Sequence, residues 1–362
     1  MILNKSDVKL GRKKDVIHYV PIEDTIRNLV EDSSFIQMSA MCSMRRRNPS
    51  KIYDVKDGLY YKENKFFQEN PDSYGIILYS DAVEIKNPLG AARGCYKLVQ
   101  VFFTLCEVEK AQRSKIDRLS LCMVFREKLL KKYTLERIFR RLVEDLMKIE
   151  GGMVIGLPVV KTIKCGVACY SADNLEAHIM GGFRACFSSG EVCRVCHINY
   201  CDLDDNIHDL CEGGNIEKWT VSEYDQIVNT FKETDHSSDD EVDDDLNLDL
   251  SSDDSDLATE KATDGDYLNS RGLKSMCPLN VLSSFHCING FPPDVLHDVM
   301  EGVIPEDLLA IIRILSKKGW FSIAEYNVAM ENLGFLGYER NDRPYPVPTA
   351  SNVKKLKGKA LS

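Results

Sequence analysis

Apolar positions in this chain change period repeatedly, and the changes mark out its elements. From residue 74 the pattern alternates or runs apolar in short stretches. Gly75-Ile-Ile-Leu-Tyr-Ser80 predicts a first strand, and 96–106 a second, carrying Leu98, Val99, Val101, Phe102, Phe103 and Leu105. Leu119 to Phe125 predicts a third, after Asn87-Pro88-Leu89-Gly90 has broken the chain. The period then lengthens. Leu135, Ile138, Phe139, Leu142, Val143, Leu146 and Ile149 fall three and four apart, which predicts an amphipathic helix over 134–149. Thr134 suits its N-cap, and Gly151-Gly152 its end. Val160 to Ser171 predicts a fourth strand, and Asn174 to Gly181 a second helix.

Strand, strand, strand, helix, strand, helix is the ribonuclease-H-like order. Antiparallel neighbours need only a hairpin, whereas a parallel neighbour needs a crossover. The helix at 134–149 supplies one and predicts that the fourth strand lies beside the first. The fold class expected is therefore α/β, with a mixed five-stranded sheet and helices. Residues 1–73 read as an N-terminal extension with a short amphipathic helix at 21–31 and a basic cluster, Arg45-Arg46-Arg47, read as a solvated loop. Residues 74–183 are the first part of the core. Residues 184–232 read as a Cys-rich, mostly helical insertion, with a helix near Ser222–Phe231. Residues 267–362 would complete the core, with a helix from Pro292-Pro293 to about Leu315 that kinks at Pro305.

Charge changes the picture at 233–266. This stretch holds fifteen acids against one base, Lys261, and has almost no apolar anchors. It is expected to be a disordered linker. The chain's net charge is −10, so the remainder is mildly basic, which suits a nucleic-acid partner without requiring one. The start of the chain lacks the apolar core of a signal peptide, and there is no run of about 18 apolar residues to span a membrane. Nuclear or cytoplasmic rather than secreted is the expectation. The thirteen cysteines are then reduced or metal-bound rather than paired in disulfides.

The candidate chemistry is carboxylate. Asp81 follows the first strand and Asp173 the fourth, so the predicted topology brings two acids to neighbouring strand ends. On the last helix Asp294, His297, Asp298 and Glu301 lie at i, i+3, i+4 and i+7, one face of an α-helix. Asp294 is explained by helix capping. Glu301 is not, and is preferred as the third acid over Asp294 and Asp298. Three separated carboxylates suit two cations that clamp the attacking and leaving oxygens of a phosphodiester. Cys193-Arg-Val-Cys196 is half of a zinc site, since a two-residue gap turns both thiolates to one ion. Two completions stay open: His208 with Cys211, or His286 with His297. Buried free thiols are the rival reading. No Gly-x-Ser-x-Gly, Walker loop or dinucleotide fingerprint occurs, so no small-molecule cofactor is expected.

Four segments carry a resemblance: Leu78-Tyr-Ser-Asp81-Ala-Val-Glu84-Ile-Lys-Asn87-Pro-Leu-Gly90; Ala172-Asp173-Asn174-Leu175 with Gly181-Gly182-Phe183; Cys193-x-x-Cys196; and Phe291-Pro-Pro-Asp294-Val-Leu-His297-Asp298-Val-Met-Glu301-Gly302. Together, over roughly 20–360, the chain resembles transposon-encoded animal proteins of the CACTA/En-Spm, Mirage and Chapaev transposase group. More distantly it is similar to the catalytic core of the recombination-activating recombinase. The resemblance implies a DDE-type DNA strand cleavage and transfer core. It makes Asp81, Asp173 and Glu301 ligands of Mg²⁺ or Mn²⁺, and Cys193, Cys196, His286 and His297 a structural Zn²⁺ set. The partner it implies is DNA, with homo-oligomerisation left open. Against that pattern no DNA-binding finger precedes the core, and the chain stops at Lys357-Gly-Lys-Ala-Leu-Ser362, which reads as truncation. The alternative is a catalytically inactive, domesticated or decayed copy acting as a DNA- or protein-binding module.

Overall fold

A computed structural model describes residues 2–3, 15–44, 50–85, 97–156, 158–202, 216–235, 271–333 and 346–347. Arg45 to Arg47, His208, Cys211 and the acidic stretch from 236 onward lie outside these. The chain divides into two compact units, Met1–Pro292 and Pro293–Ser362, each described by itself.

The first unit is built on a five-stranded mixed sheet. Its strands are β1 (His18–Tyr19), β2 (Tyr74–Glu84), β3 (Lys97–Leu105), β4 (Ser120–Arg126) and β5 (Cys165–Ser171), in the spatial order β1-β4-β3-β2-β5. β2 and β3 pair antiparallel, as do β3 and β4, and β1 and β4. β5 lies parallel to β2, as the crossover predicts. The α/β class and the mixed sheet are as expected, but the fifth strand is not where a ribonuclease-H-like order would add it. It is the two-residue β1, and it extends the sheet beyond β4. One consequence matters for the site: β2, β4 and β5 all finish at the same edge.

The sheet's inner face presents Ile76, Leu78, Val99, Val101, Phe103 and Phe125, all buried. Helix α1 (Ile22–Glu31) and helix α2 (Leu135–Gly151) belong to the same core. The three-and-four spacing of α2 buries Ile138, Phe139, Leu142, Leu146 and Ile149, each worth roughly 1.5–3 kcal/mol. Thr134 caps α2 by accepting from Arg137 N–H, and Gly152 ends it at φ 125°, where an L side chain is strained. Asp145, buried on α2, accepts from the Tyr19 hydroxyl at 2.6 Å and pairs with Arg141. The segment read as an extension is thus built into the core, through Ile22, Ile26, Val30 and Phe35.

Among the described residues the outer face is covered at one end. Phe66 and Phe67, from the short helix Lys65–Glu69, cover Cys106 and Ala168 there. Their approach requires Gly166, where a Cβ would stand 2.4 Å from the Phe66 ring. Toward the strand ends Tyr79, Asp81 and Val83 are exposed.

β5 carries one residue more than its neighbour needs. Ile76 pairs with Val167, but Ile77 pairs with Cys169, so Ala168 forms a bulge. Beyond it Leu78 pairs with Tyr170, and Tyr79 with Ser171. The predicted fourth strand is also shorter than expected, because Lys161–Ile163 folds back onto Met153–Ile155 as a separate hairpin.

After β5 comes α3 (Asn174–Met180), and after the Cys-rich stretch α4 (Val221–Asp235), which runs into the start of the expected linker. The stretch read as an insertion shares the main core. Trp219, Tyr224, Ile227 and Val228 are buried there, and the Tyr224 hydroxyl donates to Gly181 C=O at 2.8 Å. Among the described residues no helix is long and apolar enough to cross a membrane.

The second unit begins with a π-helix, Val295–Val303, and continues as α5 (Ile304–Lys317). Pro305 has no N–H for the Glu301 carbonyl, and its ring crowds that carbonyl, which disfavours a plain α-turn there. The Ile304 N–H instead reaches back to Val299 C=O. Leu309, Ile312 and Val347 form this unit's small core.

Candidate functional site

Asp81 stands inside β2, not at its end. β3 pairs with β2 as far as Glu84↔Lys97, so the strand continues past the predicted stop at Ser80. Alternation then turns Ser80 inward, where it is buried, and Asp81 outward, opposite Gln100. β5 stops earlier. Its last pairing is Tyr79↔Ser171, and two residues further along each chain come Asp81 and Asp173. The topology thus brings the two acids to one end of the sheet, Asp81 on β2 and Asp173 two residues past the end of the parallel β5.

Asp173 is also the N-cap of α3, accepting from Glu176 N–H at 2.7 Å. In an Asp-x-x-Glu capping pattern the Glu normally reaches back to the cap's own N–H. Glu176 turns instead to β2, and its Oε1 accepts from the Ser80 hydroxyl at 3.0 Å. Glu176 is 9% exposed. Burial pushes its carboxyl up to about 7; the Ser80 hydroxyl opposes this, and the negative charges of Asp173, Glu127 and Asp81 add to it. Among the described residues none of Asp81, Asp173 or Glu176 forms an ion pair.

The acids of the second unit are arranged otherwise than expected. Asp294 is the N-cap, accepting from Leu296 and His297 N–H, while Asp298 returns a carboxylate to Asp294 N–H at 3.0 Å. The one-face reading of Asp294, His297, Asp298 and Glu301 presumed α-turns. Five-residue bonding widens the same-face spacing, so i+7 drifts off the face that holds i and i+4. Glu301 is exposed and caps neither end of this helix among the described residues. His297 Nδ1 lies 2.5 Å from Asp294 Oδ2.

The Cys193–Cys196 turn is held by backbone and side-chain hydrogen bonds. The Val195 N–H donates to Cys193 Sγ at 3.3 Å, and Trp219 Nε1–H donates to the Cys193 carbonyl. Cys196 is 2% exposed; burial, and then the neighbouring Cys193 sulfur, push its thiol up to about 11. His286 is otherwise engaged. Its Nδ1 accepts from Ile288 N–H, and its Nε2 lies 3.2 Å from Asp225 Oδ1 and 3.0 Å from Asn280 Nδ2. His197, next to the turn, is held between Glu191 at 2.8 Å and Glu223 at 3.0 Å, and Arg271 joins both carboxylates. This ring pins the turn to α4. Among the described residues no group of three or more metal-ligating side chains converges.

Glu176 escaped the sequence reading because Asp173-x-x-Glu176 reads fully as a helix start. Its burial beside Ser80 depends on β2 and α3 meeting, which no local pattern reports. The hydroxyl of Ser80, next to Asp81, was the available signal. No protein-family model matches this chain, and no curated protein matches it.

Proposed function

We propose that the chain is a transposase-derived protein with a ribonuclease-H-like, DDE-type core that cleaves and transfers DNA strands. The observation that supports this reading is that Asp81 on β2 and Asp173 just past the parallel β5 each lie two residues beyond the pairing Tyr79↔Ser171, with no ion pair to either among the described residues. Hard carboxylate oxygens of this kind suit Mg²⁺ or Mn²⁺. Bound there, the cations would activate the attacking oxygen and stabilise the departing one. Asp81 and Asp173 would hold them. Ser80 positions Glu176, which keeps a proton near neutrality, so that the edge does not carry a third full charge. The third acid is assigned by resemblance to Glu301. The Cys193–Cys196 turn, with a backbone N–H already on sulfur, is the zinc-bearing half-site, and nuclear localisation follows from a DNA substrate.

The test is nicking of supercoiled plasmid by the purified chain with Mg²⁺ or Mn²⁺, with the same preparation analysed for zinc. Metal-dependent nicking is expected, reduced at least about a hundredfold in Asp81→Asn, Asp173→Asn and Glu301→Gln. One zinc per chain is expected, lost in Cys193→Ser. Nicking that survives both Asp variants would sink the assignment. DNA binding without nicking would favour the non-catalytic binding module, a reading supported by Asp173's sufficiency as a helix cap.

A further inference from the structure

The last residue of β4 and its connection to α2 carry Arg126, Lys128, Lys131 and Lys132. The connection leaves the sheet at the end that carries Asp81 and Asp173, and Glu127 within it is near enough to raise Glu176. A cavity of about 390 Å³ opens against it, within the ~300–1,000 Å³ usual for small-ligand sites. Its floor is apolar: Leu130, Leu135, Ile179 and Phe183. Ile179 lies one turn along α3 from Glu176. The rim is basic, with Lys131, Lys132 and Lys274, and two hydroxyls, Thr134 and Ser275, stand beside them.

No carboxylate lines this cavity. Lys132 is committed to Asp15, which also accepts from the Tyr133 hydroxyl. Lys131 and Lys274 form no ion pair among the described residues, and both are exposed. Lys274 does not sit on a loose loop. Its backbone N–H donates to Gly182 C=O at 2.8 Å, and Leu273 beside it bridges to Phe183. Earlier in the same stretch, Arg126 and Lys128 line a second cavity of about 470 Å³ with His18 and a single acid, Asp15.

Two cations with no ion pair among the described residues, above an apolar floor, fit a ligand with an anionic end and a flat apolar body. From this geometry we infer that the cavity seats one nucleotide of a DNA strand. The phosphate lies on Lys131 and Lys274, and the base lies on the floor. Arg126 and Lys128 continue the phosphate track along the connection. The inference rests on the DNA-cleaving reading and names where the strand lies beside its acids.

Anisotropy titrations with a labelled single-stranded oligonucleotide test it. The double variant Lys131→Glu/Lys274→Glu should bind at least about tenfold more weakly, with a shallower salt dependence, since each lost phosphate contact removes about 0.7 from the logarithmic slope. Lys62→Glu/Lys65→Glu has the same charge change far from the cavity and should shift affinity less than threefold. A fully abasic strand should bind the parent at least threefold more weakly than a normal one, and the Lys131/Lys274 variant without that preference. If the parent binds and nicks DNA while the Lys131/Lys274 variant binds as tightly as the parent, the cavity assignment fails and the cleavage reading stands. An equal loss in the control variant also defeats it, by showing only general charge. A parent that neither binds nor nicks DNA overturns both.

Discussion

Carboxylates gather at both ends of β2, and the two gatherings are handled in opposite ways. At the start of the strand, Glu107 meets Lys56 at 2.5 Å and Asp54 holds Arg113 through two contacts at 2.5 and 2.7 Å. Arg113 also donates to the Cys106 carbonyl. Glu107 and Asp54 each have a cation, and the cluster joins the 54–57 turn to the end of β3. At the far end Asp81 is left to solvent, Asp173 is met by a backbone N–H, and Glu176 is lifted to about 7. The first cluster is tied together by its own cations, although Glu107 Oε2 is buried without a hydrogen-bond partner among the described residues and burial raises that carboxyl. The second is kept tolerable by exposure, capping and protonation, each of which a divalent cation could replace.

The contrast breaks most visibly at Arg113. Arg113→Met would take both guanidinium contacts from the Asp54 carboxylate, which keeps the Val55 N–H, and would leave the Cys106 carbonyl without its Arg113 donor. The loss expected is about 3–5 kcal/mol, read from the urea midpoint. A loss below about 1 kcal/mol would mean that the paired cluster is no more structural than the unpaired one.

Glu176 sharpens the contrast through pH. Its folded value, about 7, lies above its ordinary 4.5, so between these the folded chain holds a proton that the unfolded chain has released. Its contribution is therefore full below pH 4.5 and is lost as pH rises to 7. Glu176→Gln should remove that decline, on the order of 2–3 kcal/mol across the window. Thermal melts at pH 5 and pH 8 measure it. An identical pH profile in parent and variant would show that Glu176 is not held protonated.

The smallest effect separates the two ends directly. At tenfold over its dissociation constant, Mg²⁺ should stabilise the parent by about 1.4 kcal/mol. Asp81→Asn and Asp173→Asn should abolish this gain. If both variants keep it, the cation binds elsewhere.

Much of this was readable in the chain. β3, β4 and α2 were legible because alternation, three-and-four spacing and the Thr134 cap are local signals. The course of β2 past Asp81 was not, because it is set by how far β3 accompanies it. The 21–31 helix was visible in Ile22, Ile26 and Val30, but not its place in the core, since an amphipathic face does not name its partner. The acids of 294–301 were misaligned because side-chain spacing does not reveal five-residue bonding. Lys131 and Lys274 carried no signal, being far apart in the chain and ordinary on any surface.

The extra residue at Ala168 sets the phase of everything after it. Counted without it, β5 would run one step late against β2. Ser171 would stand beside Ser80, and Asp173 beside Ala82, a slip of about 3.3 Å that also reverses which side of the pleat is faced. The two acids are level only because one strand is an odd count longer than the other. The bulge works like a vernier: it keeps the core pairing of Ile76 with Val167 untouched while bringing two distant marks into line.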